Sequence, residues 1–396
     1  MTRTKSFLFV IVTLFISNLN AGWAEDTLEH MSLKEKIGQL FMIRAFSKNQ
    51  DFLPCIPIDQ SLLNLIKNYH IGGLIFFQGD PETQVKLTNY YQRQSPVPLL
   101  IGQDCEWGLG MRLKKAISYP KNLFLGKIKN YALIHDLGKE IGRQCKALGI
   151  HINFAPVIDV NTNPNNPVIG IRSFSEDKEE VVKNGLAFAT GLLDAGIIPS
   201  LKHFPGHGDT DKDSHLDLPI INHNLERLFS EELYPFNKMI EQLQNNISIM
   251  IAHLSVPKLE PNPKLPTTLS RKVVTGLLKE QLGFNGLIIS DALEMKGVLK
   301  YFSPEQAAFL ALKAGNDILL CPQNIPESIE LIKQAIKEEI ILEQELDDHV
   351  LKILKAKEKL NLHNQKLVPE ENIIKRINTE YAYKLKEDLL GHIAKS

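Results

Sequence analysis

The sequence predicts a (β/α)8 barrel of the TIM type, followed by a helical C-terminal tail. Three observations lead there. Eight short apolar runs recur along a chain of 396 residues. Amphipathic segments of helical period lie between them. Ionisable residues gather where several of the runs end. The runs cover 38–43, 72–77, 98–103, 152–158, 197–201, 247–253, 286–290 and 317–321. Each is apolar at consecutive positions rather than alternate ones, the pattern of a strand buried on both faces in a parallel sheet, and each is too brief for a helix. Segments such as 59–69, 131–148, 179–195, 225–243, 270–282 and 304–314 have helical period. Strand–helix alternation carried to eight describes a closed parallel barrel. A doubly wound open sheet shares the alternation but often places a glycine-rich phosphate loop after its first strand. Neither G-x-G-x-x-G nor G-x-x-x-x-G-K-[ST] occurs here.

In chain order, the first segment is a targeting signal. Arg3 and Lys5 precede a run over 7–16 that is apolar apart from Thr13, and small residues (Ala21, Gly22, Ala24) follow. A bilayer core of ~30 Å is too thick for that run to cross as a stable helix. Residues 1–24 therefore read as a signal peptide with cleavage after Ala24, and an uncleaved anchor is the alternative. Removal leaves no stable membrane span and places the chain in the periplasm or outside the cell. The barrel is expected over 25–360. Beyond about residue 352 no strand run follows. A Lys-rich helical stretch at 348–360 and an amphipathic one at 378–395 make 361–396 a helical tail, packed on the barrel or trailing from it.

Composition narrows the function. A net charge of −1, with 43% hydrophobic and 23% charged residues, is a globular balance. It argues against nucleic acid as a partner bound through phosphate neutralisation. Four cysteines (Cys55, Cys105, Cys145, Cys321) form neither a disulfide framework nor a C-x-x-C pair, so no thiol-ligated metal is expected.

In a barrel, catalytic groups sit at the C-terminal ends of the strands. Asp104 follows the third run, Asp159 and then Arg172 the fourth, Lys202 and His203 the fifth, His253 the sixth and Asp291 the seventh. A lone Asp after a strand is often a helix N-cap. Five strand ends carrying charge is costly unless the charge binds or reacts. The fifth loop, KHFPGHGDTDKDSHLDLP, holds His203, His207 and His215 with Asp209, Asp211, Asp213 and Asp217. A metal site and a plain acidic loop are both open readings. A third is acid–base work, with Asp213 close enough to His215 to orient its imidazole. Gly206 and Gly208 suggest that the loop is mobile. No G-x-S-x-G is present to complete an esterase triad.

That loop resembles the K-H-F-P-G-H-G-x(n)-D-S-H signature of glycoside hydrolase family 3, in its β-N-acetylglucosaminidase branch. The resemblance runs over about 31–360. It implies a barrel and a retaining, two-step hydrolysis of terminal N-acetyl-β-D-glucosamine, with a carbohydrate partner and no cofactor or metal. It further implies Asp291 as nucleophile, His215 as acid/base and Asp213 as its partner. Asp104, Arg112, Arg172, Lys202 and His203 match the substrate-holding positions. The segment DCEWGLGMR departs from the usual D-x-E-G-G-R-V-x-R: Trp107 replaces a glycine and Leu109 an arginine. Trp107 either stacks on a sugar or packs beneath its loop. An exported member is expected to trim peptidoglycan fragments. Another family activity, such as β-glucosidase, and a non-catalytic wall-sugar binder are the alternatives. The oligomeric state is not legible.

Overall fold

The computed structural model describes residues 22–45, 59–210 and 218–395. Eight parallel strands run in chain order around a barrel: β1 (Phe41–Arg44), β2 (Gly73–Ile75), β3 (Leu100–Gln103), β4 (Ile152–Asn153), β5 (Ile198–Phe204), β6 (Ser248–Ile251), β7 (Leu287–Ser290) and β8 (Leu319–Leu320). The registers place Ile43 opposite Leu74, Leu74 opposite Ile101, and Gly102 opposite Ile152. The last strand returns to the first, with Phe41 opposite Leu319. Between β7 and β8 the ring closes through the Ile289–Ile318 bridge.

All eight apolar runs overlap a strand, β1 and β5 extending past the ends of theirs, but β4 and β8 are far shorter than their runs. β4 stops before Pro156, which has no N–H to give the ladder. Pairing resumes at Val157, opposite Lys202. Ahead of β8, the Ile288 N–H donates to the Asp317 carboxylate at 2.8 Å rather than to a backbone carbonyl. After it, Cys321 takes a left-handed φ of 47° that ends the strand. The helical segment expected over 225–243 divides into Leu225–Arg227, a π-helical turn Leu228–Glu232, and Tyr234–Leu243. Pro235, at the start of the last piece, cannot donate to the preceding turn.

The first helix is held by residues from late in the chain. Helix Trp23–His30 packs on helix Glu343–Lys359, with Trp23 stacked on His363 at 5.3 Å between ring centroids and Lys355 3.0 Å from Glu25. Lys357, fully buried, donates to Gln39 Oε1 at 2.6 Å, and burial lowers its pKa to about 7. The tail is docked rather than trailing. Helices Ile373–Ile377 and Glu380–Ile393 lie against Tyr131–Ala147. Arg143 donates to the Arg376 carbonyl at 2.6 Å, and Asn378 accepts from Ile117 N–H at 3.0 Å. Most of the expected signal segment, residues 1–21, lies outside the described residues. Ala24 is fully buried within the first helix, so a cut after it would remove that helix's first two residues. Among the described residues, no helix is long and apolar enough to cross a membrane.

Candidate active site

The C-terminal mouth of the barrel holds a cavity of about 500 Å³. Asp104, Arg112, Arg172, Lys202, His203 and Asp291 all line it, so the structure brings six of the eight site residues read from the sequence into one space. The other two, Asp213 and His215, fall in 211–217, outside the described residues. That stretch is bracketed by Asp209 and His223, whose side chains bond to each other at 2.5 Å.

The floor of the cavity is an ion network. The Lys202 ammonium lies 2.8 Å from both Asp104 and Glu106. Arg112 donates to the second oxygen of Asp104. Arg172 grips Glu106 with two donors, Nε at 3.0 Å and Nη2 at 2.8 Å. Three cations thus face two carboxylates, in the two-donor geometry that makes arginine–carboxylate pairs strong. Burial by itself would push Asp104 upward, but Lys202 and then Arg112 hold it well below the usual carboxylate range. Burial likewise opposes ionisation of Glu106, and Arg172 and Lys202 override it, bringing its pKa to about 2. Arg112 Nε and Arg44 Nε are buried without a hydrogen-bond partner among the described residues.

Glu106→Gln is therefore expected to lower the free energy of unfolding by about 3–5 kcal/mol, because Arg172 and Lys202 stay buried with too little counter-charge. Urea melts at neutral pH check it; a loss below about 1 kcal/mol, the worth of an exposed pair, would show the network to be solvent-screened. The pH dependence has a definite sign. The Glu106 pKa is depressed, so its stabilisation is complete above the ordinary Glu value of about 4.3 and fades as pH falls toward about 2. The Glu106→Gln variant lacks that share of the acid sensitivity.

Two of the ionisable strand ends stand behind the cavity, not in it. Asp159 is fully buried and organises the start of the fifth loop. It accepts the His203 ring at 2.7 Å and the His207 backbone N–H at 2.7 Å. His253 bonds Thr268 Oγ1 at 2.8 Å and the Ala292 carbonyl at 3.0 Å, immediately beyond Asp291. Asp291 directly follows β7 and accepts the Ala292 N–H at 2.7 Å. Burial opposes its charge, but His253, His203, that N–H and Lys202 together hold its pKa below the usual range. It faces the cavity as a carboxylate.

Gly206 and Gly208, from which the sequence reading took the loop to be mobile, are positions of close packing. A Cβ at Gly208 would fall 1.7 Å from the Val160 carbonyl oxygen, and one at Gly206, with φ +126°, 2.7 Å from Glu232 Cβ. The sequence reading also missed Glu106, Arg44 and Glu294. Glu106 is two positions beyond Asp104, the period that returns a side chain to the same face of an extended strand. Arg44 is the charged last residue of β1 and pairs with Glu294, three residues past Asp291. Among the described residues, no group of three His, Cys, Asp or Glu side chains could hold a metal ion.

Residues 32–356 match the Glycosyl hydrolase family 3 N terminal domain. The chain is similar to "Beta-hexosaminidase A" of Pseudoalteromonas piscicida, at 35% identity over 76% of this chain and 55% of the relative. It is also similar to "Beta-N-acetylglucosaminidase/beta-glucosidase" of Cellulomonas fimi, at 27% identity over 88% of this chain and 62% of the relative. It therefore spans little more than half the length of these two relatives. Among solved structures, a glycoside hydrolase family 3 beta-N-acetylglucosaminidase from Paenibacillus sp. str. FPU-7 superposes with a TM-score of 0.83. That alignment has 33% identity and covers 91% of this chain and 69% of that one.

Proposed function

The chain belongs to glycosyl hydrolase family 3, and from that premise we propose that it removes terminal, non-reducing N-acetyl-β-D-glucosamine with retention of configuration. The observation that carries the reading is Asp291, a carboxylate held ionised in a cavity of about 500 Å³ floored by Lys202, Arg112 and Arg172. In a retaining enzyme such a group sits below the anomeric carbon. Asp291 attacks that carbon, the bond to the leaving oxygen breaks, and His215 supplies the proton the oxygen needs. A covalent glycosyl-enzyme results. His215 then takes a proton from water, whose oxygen displaces Asp291 and frees the sugar. Asp213 orients the imidazole. Asp104, Arg112, Arg172, Lys202 and His203 bind the sugar's hydroxyl and acetamido groups, with Asp159 fixing the His203 ring through its 2.7 Å contact. Water is the only co-reactant in these steps.

The names of the relatives support N-acetylglucosamine as the sugar. The double name of the Cellulomonas fimi relative favours one second reading, a β-glucoside as substrate. Purified protein on a panel of nitrophenyl glycosides decides between them. Preference for the N-acetylglucosaminide supports the first reading, preference for the glucoside the second, and no turnover of any β-glycoside would refute both and favour a sugar binder. Peptidoglycan fragments are the proposed natural substrate and the outside of the cytoplasm the proposed place. Cell fractionation with N-terminal sequencing is expected to find the chain exported and starting between Gly22 and Glu25. A cytoplasmic chain retaining Met1 would overturn export.

A further inference from the structure

A second cavity, of about 230 Å³, shares no lining residue with the first. It lies among helices Lys272–Gln281, Pro304–Ala314 and Glu343–Lys359. Gly315, on its wall, precedes β8, so the cavity lies toward the strands' N-terminal ends, whereas Asp291 stands at the C-terminal ends. Four cations line it, Arg271, Lys279, Lys313 and Lys352, against two carboxylates, Glu345 and Asp348. Glu345 lies 3.6 Å from Arg271, and Asp348 accepts from Gln344 at 3.0 Å. Lys352 has Asp317 at 3.7 Å, but that fully buried carboxylate already holds the His349 ring at 2.6 Å and the Ile288 N–H at 2.8 Å.

The Lys279 ammonium makes no hydrogen bond or ion pair among the described residues. It rests against the turn that ends helix Pro304–Ala314: a Cβ at Gly315, where φ is +113°, would fall 3.0 Å from Nζ. The carbonyls there already have donors, since Thr275 Oγ1 donates to Ala314 at 2.7 Å and Arg271 to Lys313 at 3.4 Å. Burial lowers the Lys279 pKa; Asp317 opposes the shift, and Lys352 and Arg271 add to it. A partly buried ammonium among like charges costs free energy that a bound anion would remove.

We infer that this cavity binds a phosphate group, as the free ion or as a small monoester, held by Lys279 and Lys352 and flanked by Arg271 and Lys313. Ammonium groups serve phosphate as point charges, and a guanidinium offers it a fork of donors. The volume is far above the ~15 Å³ that one water needs. His349 and Lys352, both on the cavity wall, also touch Asp317, which holds β7 where the ring closes through the Ile289–Ile318 bridge. An anion here therefore tightens the closure of the barrel. The inference does not depend on the glycosidase reading.

The test is calorimetric titration of the full chain with inorganic phosphate, at constant ionic strength in chloride. A saturable event is expected that Lys279→Met weakens by about tenfold or more, the order of one charge-assisted contact. Lys313→Met, at an exposed position, should weaken it in the same direction. Glu345→Gln removes a repelling carboxylate and frees Arg271, so it should tighten binding, an opposite sign that a merely structural role for the cluster does not produce. The melting temperature should rise with phosphate in the wild type, by mass action, and stay flat in Lys279→Met. Without phosphate, Lys279→Met should melt no lower than wild type, because the charge it loses has no partner. Glycerol 3-phosphate separates the two sources: tighter binding than the free ion assigns a monoester, and weaker binding the ion itself. No saturable event, or equal affinity in the wild type and both lysine variants, would overturn the site. Citrate bound more tightly than either phosphate probe would overturn the choice of occupant.

Discussion

Asp291→Ala is expected to lose about 10,000-fold or more in kcat on N-acetylglucosaminides, or about 5.5 kcal/mol of barrier. The carboxylate is the attacking group in the proposed mechanism, and nothing else at the end of β7 replaces it. The melting curve should stay close to wild type, because the side chain stands just beyond β7, and the Ala292 N–H that loses its acceptor belongs to a residue lining the cavity, where water can take its place. A rate within about tenfold of wild type, about 1.4 kcal/mol, would remove Asp291 from the chemistry. A fluorinated slow substrate checks the same claim independently. It should leave a covalent sugar on the peptide containing Asp291, and an inverted product anomer would refute the two-step route.

His215→Ala should divide substrates by their leaving groups. Natural disaccharides need a proton on the departing oxygen, so their hydrolysis is expected to fall by about 100- to 10,000-fold, the range of general acid catalysis. An activated aryl glycoside needs little such help in the first step. It should give a burst followed by slow turnover, because the second step still lacks its base. Azide should partly rescue that second step. Asp213→Asn should show a milder form of the same profile, having lost orientation but not the imidazole. Equal losses on good and poor leaving groups with no burst would make His215 a binding residue. Activity lost to EDTA and restored by zinc would make the loop a metal site.

The strands were legible because a parallel barrel buries them on both faces, and continuous apolar runs have few other uses. Helix Pro81–Gln94 was not, since it buries Gln84, Thr88, Asn89 and Gln92 as well as apolar residues. Gln84 reaches Gln103 at 2.7 Å and Gln92 the Leu99 carbonyl at 2.8 Å, so polar side chains face inward and blur the helical period. In the site, Asp291, Lys202 and Asp104 could be read because strand ends are where a barrel does chemistry. Glu106 could not be ranked above other acids, since its importance lies in partners 66 and 96 residues away, Arg172 and Lys202. Asp159 and His253 carry charge or polarity at strand ends yet turn behind the cavity, a distinction that only packing makes. A glycine in a loop likewise signals either freedom or close approach, and Gly208 against Val160 is the second.

The pairing of the first strand with the last has a consequence for the order in which the molecule can form. β1 has no outer neighbour until Leu319 arrives to pair with Phe41, and Trp23 waits for His363. A chain synthesised from its N-terminus therefore carries an open edge and an uncovered first helix until most of its 396 residues exist. Contacts of such sequence separation make folding slow compared with a helical bundle, because loop closure comes before its reward. For a protein proposed to leave the cytoplasm that delay is useful. A polypeptide threaded N-terminus first through a translocon must stay unfolded in transit, and this barrel is unable to shut before Leu319 and Leu320, late in its 396 residues, are through. The same interval exposes apolar strands to mispairing.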